Sequence, residues 1–301
     1  MSNVNNVNSA KNGYVASTEQ AKLVASDGAA DDWFGCSVSI SADGAYVVIG
    51  AYADDVGANS TQGSAYIFVR SGTSWTQQAK LVAGDGAAND WFGCSVSISA
   101  DGAYVVIGAY YDVIGATANQ GSAYIFVRSG TSWTQQAKLV ASDGVAGDFF
   151  GWSVSISADG VYAVIGAYFD DVGANNDQGS AYIFVRSGTS WTQQAKLVAS
   201  DGAANDWFGW SVSISADGAY AVIGAYFDDV GANSTQGSAY IFVRSGTSWT
   251  QQAKLVAGDG ATSDYFSSSV SISADGAYAV MGAYGDDVGA IAEQGSAYIF
   301  A

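Results

Sequence analysis

Three features of this 301-residue sequence predict an all-β fold, a five-bladed β-propeller with four antiparallel strands per blade. The first is repetition: the tetrad Ala-Lys-Leu-Val begins at Ala21, Ala79, Ala137, Ala195 and Ala253, a constant step of 58 residues without insertion or deletion. The second is an apolar periodicity of two, not 3.6, inside each unit. The third is that each unit holds four strand-like runs separated by glycine-containing turns, with no helical stretch. A parallel β-helix needs a rung of about half this length, and a sandwich does not repeat with such fidelity.

Taken in order, residues 1–17 are rich in Asn and Ser, lie outside the repeat, and are expected to form a flexible tail ahead of a propeller spanning 18–301. In the first unit Val38 and Ile40 alternate with Ser37, Ser39 and Ser41, a strand with one apolar side. Val47, Val48 and Ile49 form a β-branched run that suits a strand covered on both faces. Tyr66 and Phe68 alternate with Ile67 and Val69, so both sides of that strand are also expected to be buried. Trp75, Gln77, Ala79 and Leu81 share one parity while Thr76, Gln78 and Lys80 take the other, which predicts an outer, half-solvated strand. Ala42-Asp43-Gly44 and Ser71-Gly72-Thr73 make tight hairpins, and Asp27–Gly35 and Asp54–Gly63 make longer loops. The frame opens on an outer-strand copy, Thr18–Ala25, and the last unit supplies three strands ending at Ser296–Ala301. The N-terminal strand is therefore expected to join the last blade and close the ring, leaving only short protected edges.

Composition narrows the function. Ten basic residues against 28 acidic ones give a net charge of −18, with no basic stripe to neutralise phosphates, which speaks against nucleic acid and anionic membrane surfaces. The chain has no histidine, so Ser-His-Asp and Cys-His catalysis are excluded within it. Cys36 and Cys94 are too few for a disulfide framework or a zinc site. No apolar run approaches the ~20 residues of a membrane-spanning helix. The first residues lack the apolar core of a signal peptide. Proline is absent, where average usage predicts about 15.

Phe34-Gly35, followed by an inner strand and then Ile49-Gly50-Ala51, resembles the FG-GAP repeat of the integrin α-subunit N-terminal propeller. The Trp-Thr-Gln-Gln-Ala-Lys-Leu and Gly-Ser-Ala-Tyr-Ile-Phe segments are similar still more to bacterial and algal FG-GAP-like repeat proteins, over residues 18–301. The resemblance implies a non-catalytic recognition or adhesion module, extracellular or on a cell surface, that needs no cofactor. Three departures stand out. The proline of the family's GAP is tyrosine in every copy, the FG glycine becomes Ser267 in the last, and five blades replace the usual seven. The family's calcium loop would fall on Ser39–Val47 with Asp43 as its only carboxylate, and likewise at Asp101, Asp159, Asp217 and Asp275. One carboxylate is too few for an ion that takes six to eight oxygens, so a plain Asp-Gly turn is expected there.

Because the five copies are nearly identical, the positions that differ carry information. They concentrate in the loop entering the first strand and the loop joining the second and third, which lie at one end of an antiparallel blade. The candidate ligand-binding residues are Trp33, Tyr52, Tyr110, Tyr111, Tyr168, Phe169, Tyr226 and Phe227, with Asn59, Asn175 and Asn233, since aromatic rings and amides suit sugars and peptides. The aromatic before each Phe-Gly also reads as a wedge between blades, and Cys36 and Cys94 as fillers at the site of Trp152, Trp210 and Ser268. The pairs Asp54/Asp55, Asp170/Asp171, Asp228/Asp229 and Asp286/Asp287 are candidates for a peripheral calcium site. The expected partner is a protein or glycan, and the chain a monomer or weak homo-oligomer. A structural, self-assembling repeat protein is the alternative.

Overall fold

The computed structural model describes residues 19–301; the expected tail and Thr18 lie outside the described residues. The strands are β1 (Val38–Ile40), β2 (Tyr46–Ala51), β3 (Ser64–Ser71) and β4 (Ser74–Leu81) in the first blade, and β5 (Val96–Ile98), β6 (Tyr104–Ala109), β7 (Ser122–Ser129) and β8 (Ser132–Leu139) in the second. The third holds β9 (Val154–Ile156), β10 (Tyr162–Ala167), β11 (Ser180–Ser187) and β12 (Ser190–Leu197). The fourth holds β13 (Phe208–Ile214), β14 (Tyr220–Ala225), β15 (Ser238–Ser245) and β16 (Ser248–Leu255), and the last β17 (Phe266–Ile272), β18 (Ala279–Ala283) and β19 (Ser296–Phe300). Each sheet is an antiparallel meander in chain order, and the five are arranged as the blades of a β-propeller. None of the described residues is helical, so no helix is long and apolar enough to cross a membrane.

The core lies between blades as much as within them. Val48, Ala65 and Ile67 of the first blade share one apolar cluster with Phe92, Val96, Ile98 and Ile107 of the second, and Leu81 at the end of β4 and Ala83 just after it fill it. The same arrangement recurs at the next two joints. The outer strand departs from its expected parity. Ile67 pairs with Ala79 but Phe68 pairs with Gln77, so Gln78 is the extra residue of a β-bulge. The bulge turns Trp75 and Gln77 to the face opposite Ala79 and Leu81, so Trp75 packs on the first blade's own apolar cluster while Leu81 packs toward the next blade. It also re-aims Gln136, whose Oε1 accepts from Trp191 Nε1 of the following blade at 2.9 Å.

The last sheet has three strands, and the closure expected from Thr18–Ala25 is not formed among the described residues. Glu19–Ala25 carry no ladder. Leu23 and Ala25 instead pack on Ile49, Tyr66 and Phe68, and Ser26 N donates to Gln77 Oε1 at 2.9 Å. On the first blade they hold the place that Leu81 and Ala83 hold on the second.

Candidate ligand-recognition face

The two variable loops of neighbouring blades are bonded into one surface. Asn89 N, Trp91 N and Phe92 N, in the loop entering the second blade, donate to Ser60 O, Thr61 O and Gln62 O of the first at 2.9, 3.3 and 2.9 Å. The invariant hairpins lie at the other end, where Arg70 donates to the carbonyls of Gly44, Gly72 and Asp43. Asp43 itself accepts from Ser41 Oγ at 2.6 Å and Ala45 N at 2.9 Å, a turn-closing role that Asp101, Asp159, Asp217 and Asp275 repeat.

The Phe-Gly and Ile-Gly-Ala glycines meet across the joint. Gly93 has φ of +95°, and its N–H donates to Gly108 O at 2.9 Å. A Cβ on Gly50 would enter the space of the Gly93 carbonyl of the next blade, and one on Gly108 that of Gly151. The residue before each Phe-Gly, and before Phe266-Ser267, is held left-handed too: Trp33, Trp91, Phe149, Trp207 and Tyr265 have φ of 56–57°. That conformation is a genuine outlier for a bulky side chain, and such strain concentrates at functional sites.

These strained residues and the tyrosines after each Ile-Gly-Ala build a continuous aromatic belt through all five blades. Ring centroids lie 6.0 Å apart from Trp33 to Tyr52, 5.3 Å from Tyr52 to Trp91 and 5.4 Å from Trp91 to Tyr110. The belt continues through Phe149, Tyr168, Trp207, Tyr226 and Tyr265 to Tyr284. The wedge role and the surface role are divided within it. Tyr110, Tyr168 and Tyr226 are only 5–7% exposed, so among the candidates they form the floor. Tyr52, Tyr111, Phe169 and Phe227 are half-buried and Trp33 is exposed, forming its surface. Trp207, stacked on Phe227 at 4.1 Å, keeps its Nε1 donor buried without a partner.

One recess was not anticipated. Cys36, Tyr52, Cys94, Tyr110 and Trp152 line a cavity of ≈ 190 Å³. It opens where the first two blades carry cysteine at the position filled by Trp152 and Trp210, whose rings pack tilted with centroids 4.6 Å apart. Both thiols are free, Cys94 Sγ lies 3.4 Å from Gly151 O, and burial pushes both thiols above their usual pKa. The copy-to-copy change from Cys to Trp was the signal for this pocket.

The polar candidates are already engaged. Asn59 Nδ2 donates to Gln62 Oε1 at 2.8 Å and Gly86 O at 3.1 Å, and Asn175 and Asn233 repeat both bonds. Buried Asp54 lies 2.7 Å from Lys80 Nζ, which also reaches Asp27 at 2.7 Å, and the two carboxylates share the one proton of Tyr66 OH, 3.2 and 3.0 Å away. Burial opposes the lysine's charge, but these carboxylates hold Lys80 above its usual value, and burial raises the Tyr66 hydroxyl to about 12. Asp170 and Asp228 sit likewise against Lys196 and Lys254. The second member of each pair closes its own loop: Asp55 accepts from Thr61 N, Asp171 from Asp177 N, Asp229 from Thr235 N and Asp287 from Glu293 N. Asp286 accepts from Tyr298 OH at 3.1 Å. Among the described residues no group of three or more Cys, Asp or Glu side chains is placed to hold a metal ion.

A family model described as the FG-GAP repeat matches residues 17–68, 75–126, 133–184, 191–242 and 249–300. The chain belongs to the FG-GAP repeat family. The matches at 75–126, 133–184, 191–242 and 249–300 each run from the outer strand of one blade through the third strand of the next, so the FG-GAP unit spans the joint between blades. No curated protein matched the chain.

Proposed function

We propose that this FG-GAP propeller is a non-catalytic recognition module, adhesion-like or lectin-like, that binds a protein or carbohydrate on the face made by its variable loops. The observation that carries the reading is the half-exposed aromatic belt on that face, with strained left-handed residues in every blade and the recess between Cys36 and Trp152 beside it. The recess has room for one sugar ring or one aromatic side chain, and Tyr52, Tyr110 and Trp152 offer it π-faces. Its members differ among blades, so the site sits on the first three blades, while Tyr111, Phe169 and Phe227 extend the contact surface where Ala53 and Gly285 do not. In this reading a bound ligand requires no calcium.

A glycan array and a peptide library probed with the 301-residue chain test this. Binding that falls at least roughly tenfold in Tyr111→Ala and Phe169→Ala, and is lost in the recess-filling Cys94→Trp, supports the reading. No binding on either array, with or without calcium, or binding unchanged in all three folded variants, overturns it.

A further inference from the structure

The internal blade-to-blade joints repeat one design, and the two halves of another stand open at the ends of the described chain. Between the first two blades, Val96 N and Ile98 N donate to Ser37 and Ser39 Oγ at 3.0 and 3.2 Å, over the shared cluster of Val48, Ile67, Val96 and Ile98. On the last blade Val280 and Ile299 are 39% and 75% exposed, although Val48 and Ile67, their counterparts in the first, are 0% exposed. On the first blade Val38 and Ile40 are 64% and 58% exposed, although Val96 and Ile98 are 5% and 6%.

Two further features show what the last blade lacks. Asp259 and Asp286 share Tyr298 OH at 3.0 and 3.1 Å, as Asp85 and Asp112 share Tyr124, yet the ion pairs of the described residues include no lysine on them. The 58-residue step makes exposed Lys22 the remaining member of the series Lys80, Lys138, Lys196 and Lys254. A cavity of ≈ 240 Å³ is lined by Tyr220, Gln252, Ala253, Gly276 and Phe300. The counterparts of Tyr220, Gln252 and Ala253 in the first blade, Tyr46, Gln78 and Ala79, surround Trp133 of the second, so the cavity is a tryptophan socket.

We propose that the chain assembles head to tail with a second copy of itself. The free edge of β19 takes the Ala21–Leu23 strand of the next copy, and Lys22 bridges Asp259 and Asp286. Val38 and Ile40 of that copy close over Val280 and Ile299. The charge match favours this occupant, because the lysine that fits these aspartates and the apolar face that fits this blade are carried by the same chain. The joint is heterologous, so each addition presents the same two ends again. The 58-residue step puts Ser17 where the other units carry tryptophan.

Sedimentation velocity on the 301-residue chain tests the assembly. The expected mass rises with concentration from the 30.8 kDa monomer. Ile40→Asp and Val280→Asp, both on exposed sites, each block one end and remain monomeric alone, but mixed together they form dimers and nothing larger. Ser17→Trp, filling the socket, tightens association roughly tenfold or more. A wild-type chain that stays monomeric up to about 300 μM, well above the weak micromolar range, overturns the proposal and leaves the N-terminal strand closing its own ring. Oligomers undiminished in both aspartate variants overturn it as well.

Discussion

The joint between the second and third blades and the seam between the last and first carry nearly the same residues but differ in every measure of burial. Val154 and Ile156 are 7% and 6% exposed, and Val38 and Ile40 of the same Val-Ser-Ile sequence are 64% and 58%. Since the strands are identical in sequence, the difference belongs to the neighbour and not to the residue. A propeller blade buries part of its apolar surface only against another blade, as repeat architectures generally do. The seam therefore serves as an internal control for each interaction that the joints make.

The largest contrast concerns the glycines of the Ile-Gly-Ala segments, Met-Gly-Ala in the last blade. Gly108 faces the Gly151 carbonyl of the next blade, a backbone atom that cannot swing away, whereas the nearest atom to a Cβ on Gly282 is the mobile Ser269 Oγ at 2.7 Å. Gly108→Ala is expected to cost about 3 kcal/mol or more and Gly282→Ala under about 1 kcal/mol, read from urea midpoints. Equal losses would break the comparison.

A smaller effect follows from the loops over the joints. Burial pushes Asp90, Asp148 and Asp206 up to about 6, against the pull of the N–H that each carboxylate accepts. Between about pH 4 and 6 the folded chain then holds protons that the unfolded chain has released, so stability falls as pH rises through that window, by about 1–2 kcal/mol for each carboxyl. Below about pH 4 the order reverses. Burial raises Asp85 and Asp143 but their lysines lower them further, and the stability of those pairs is lost on acidification. Asp148→Asn keeps the acceptor for Val145 N and is expected to flatten the fall between pH 4 and 6 in thermal melts. Asp264→Asn, in the last blade beside 60%-exposed Tyr284, is expected to flatten it less.

The blades were legible because period-two apolar runs and Gly-containing turns act locally, and a constant 58-residue step fixes the rest. The outer strand was misread because a bulge at Gln78 shifts parity without any Gly or Pro to mark it. The meeting of the two variable loops was legible too, since antiparallel pairing sends both to one end. Side-chain roles within it were not. Asn59, a candidate for ligand contact, is consumed by Gln62 and the Gly86 carbonyl, a contact 27 residues away that no local pattern announces. Asp54, a candidate for a peripheral calcium site, is a buried ion-pair partner, because Lys80 reaches it from two strands over. The left-handed Trp91 and its equivalents have no compositional signal, for glycine or asparagine would be the usual residue at such a φ.

The smallest contrast tests the tryptophan socket. Gln194 Oε1 accepts from Trp249 Nε1 at 2.9 Å, and removing it leaves a part-buried indole donor without a partner. Gln194→Ala is therefore expected to cost about 1 kcal/mol, the net worth of one such bond. Gln252 stands at the same position one blade later, but it borders the ≈ 240 Å³ cavity instead of an indole. Gln252→Ala should change stability by less than about 0.5 kcal/mol, as a side chain with no partner to lose. The two variants share sequence context, bulge geometry and helix-free surroundings, so a difference in their melting temperatures isolates the indole contact itself. If Gln252→Ala destabilises as much as Gln194→Ala, the glutamine works through its own strand, and the cavity is not a socket waiting for a tryptophan.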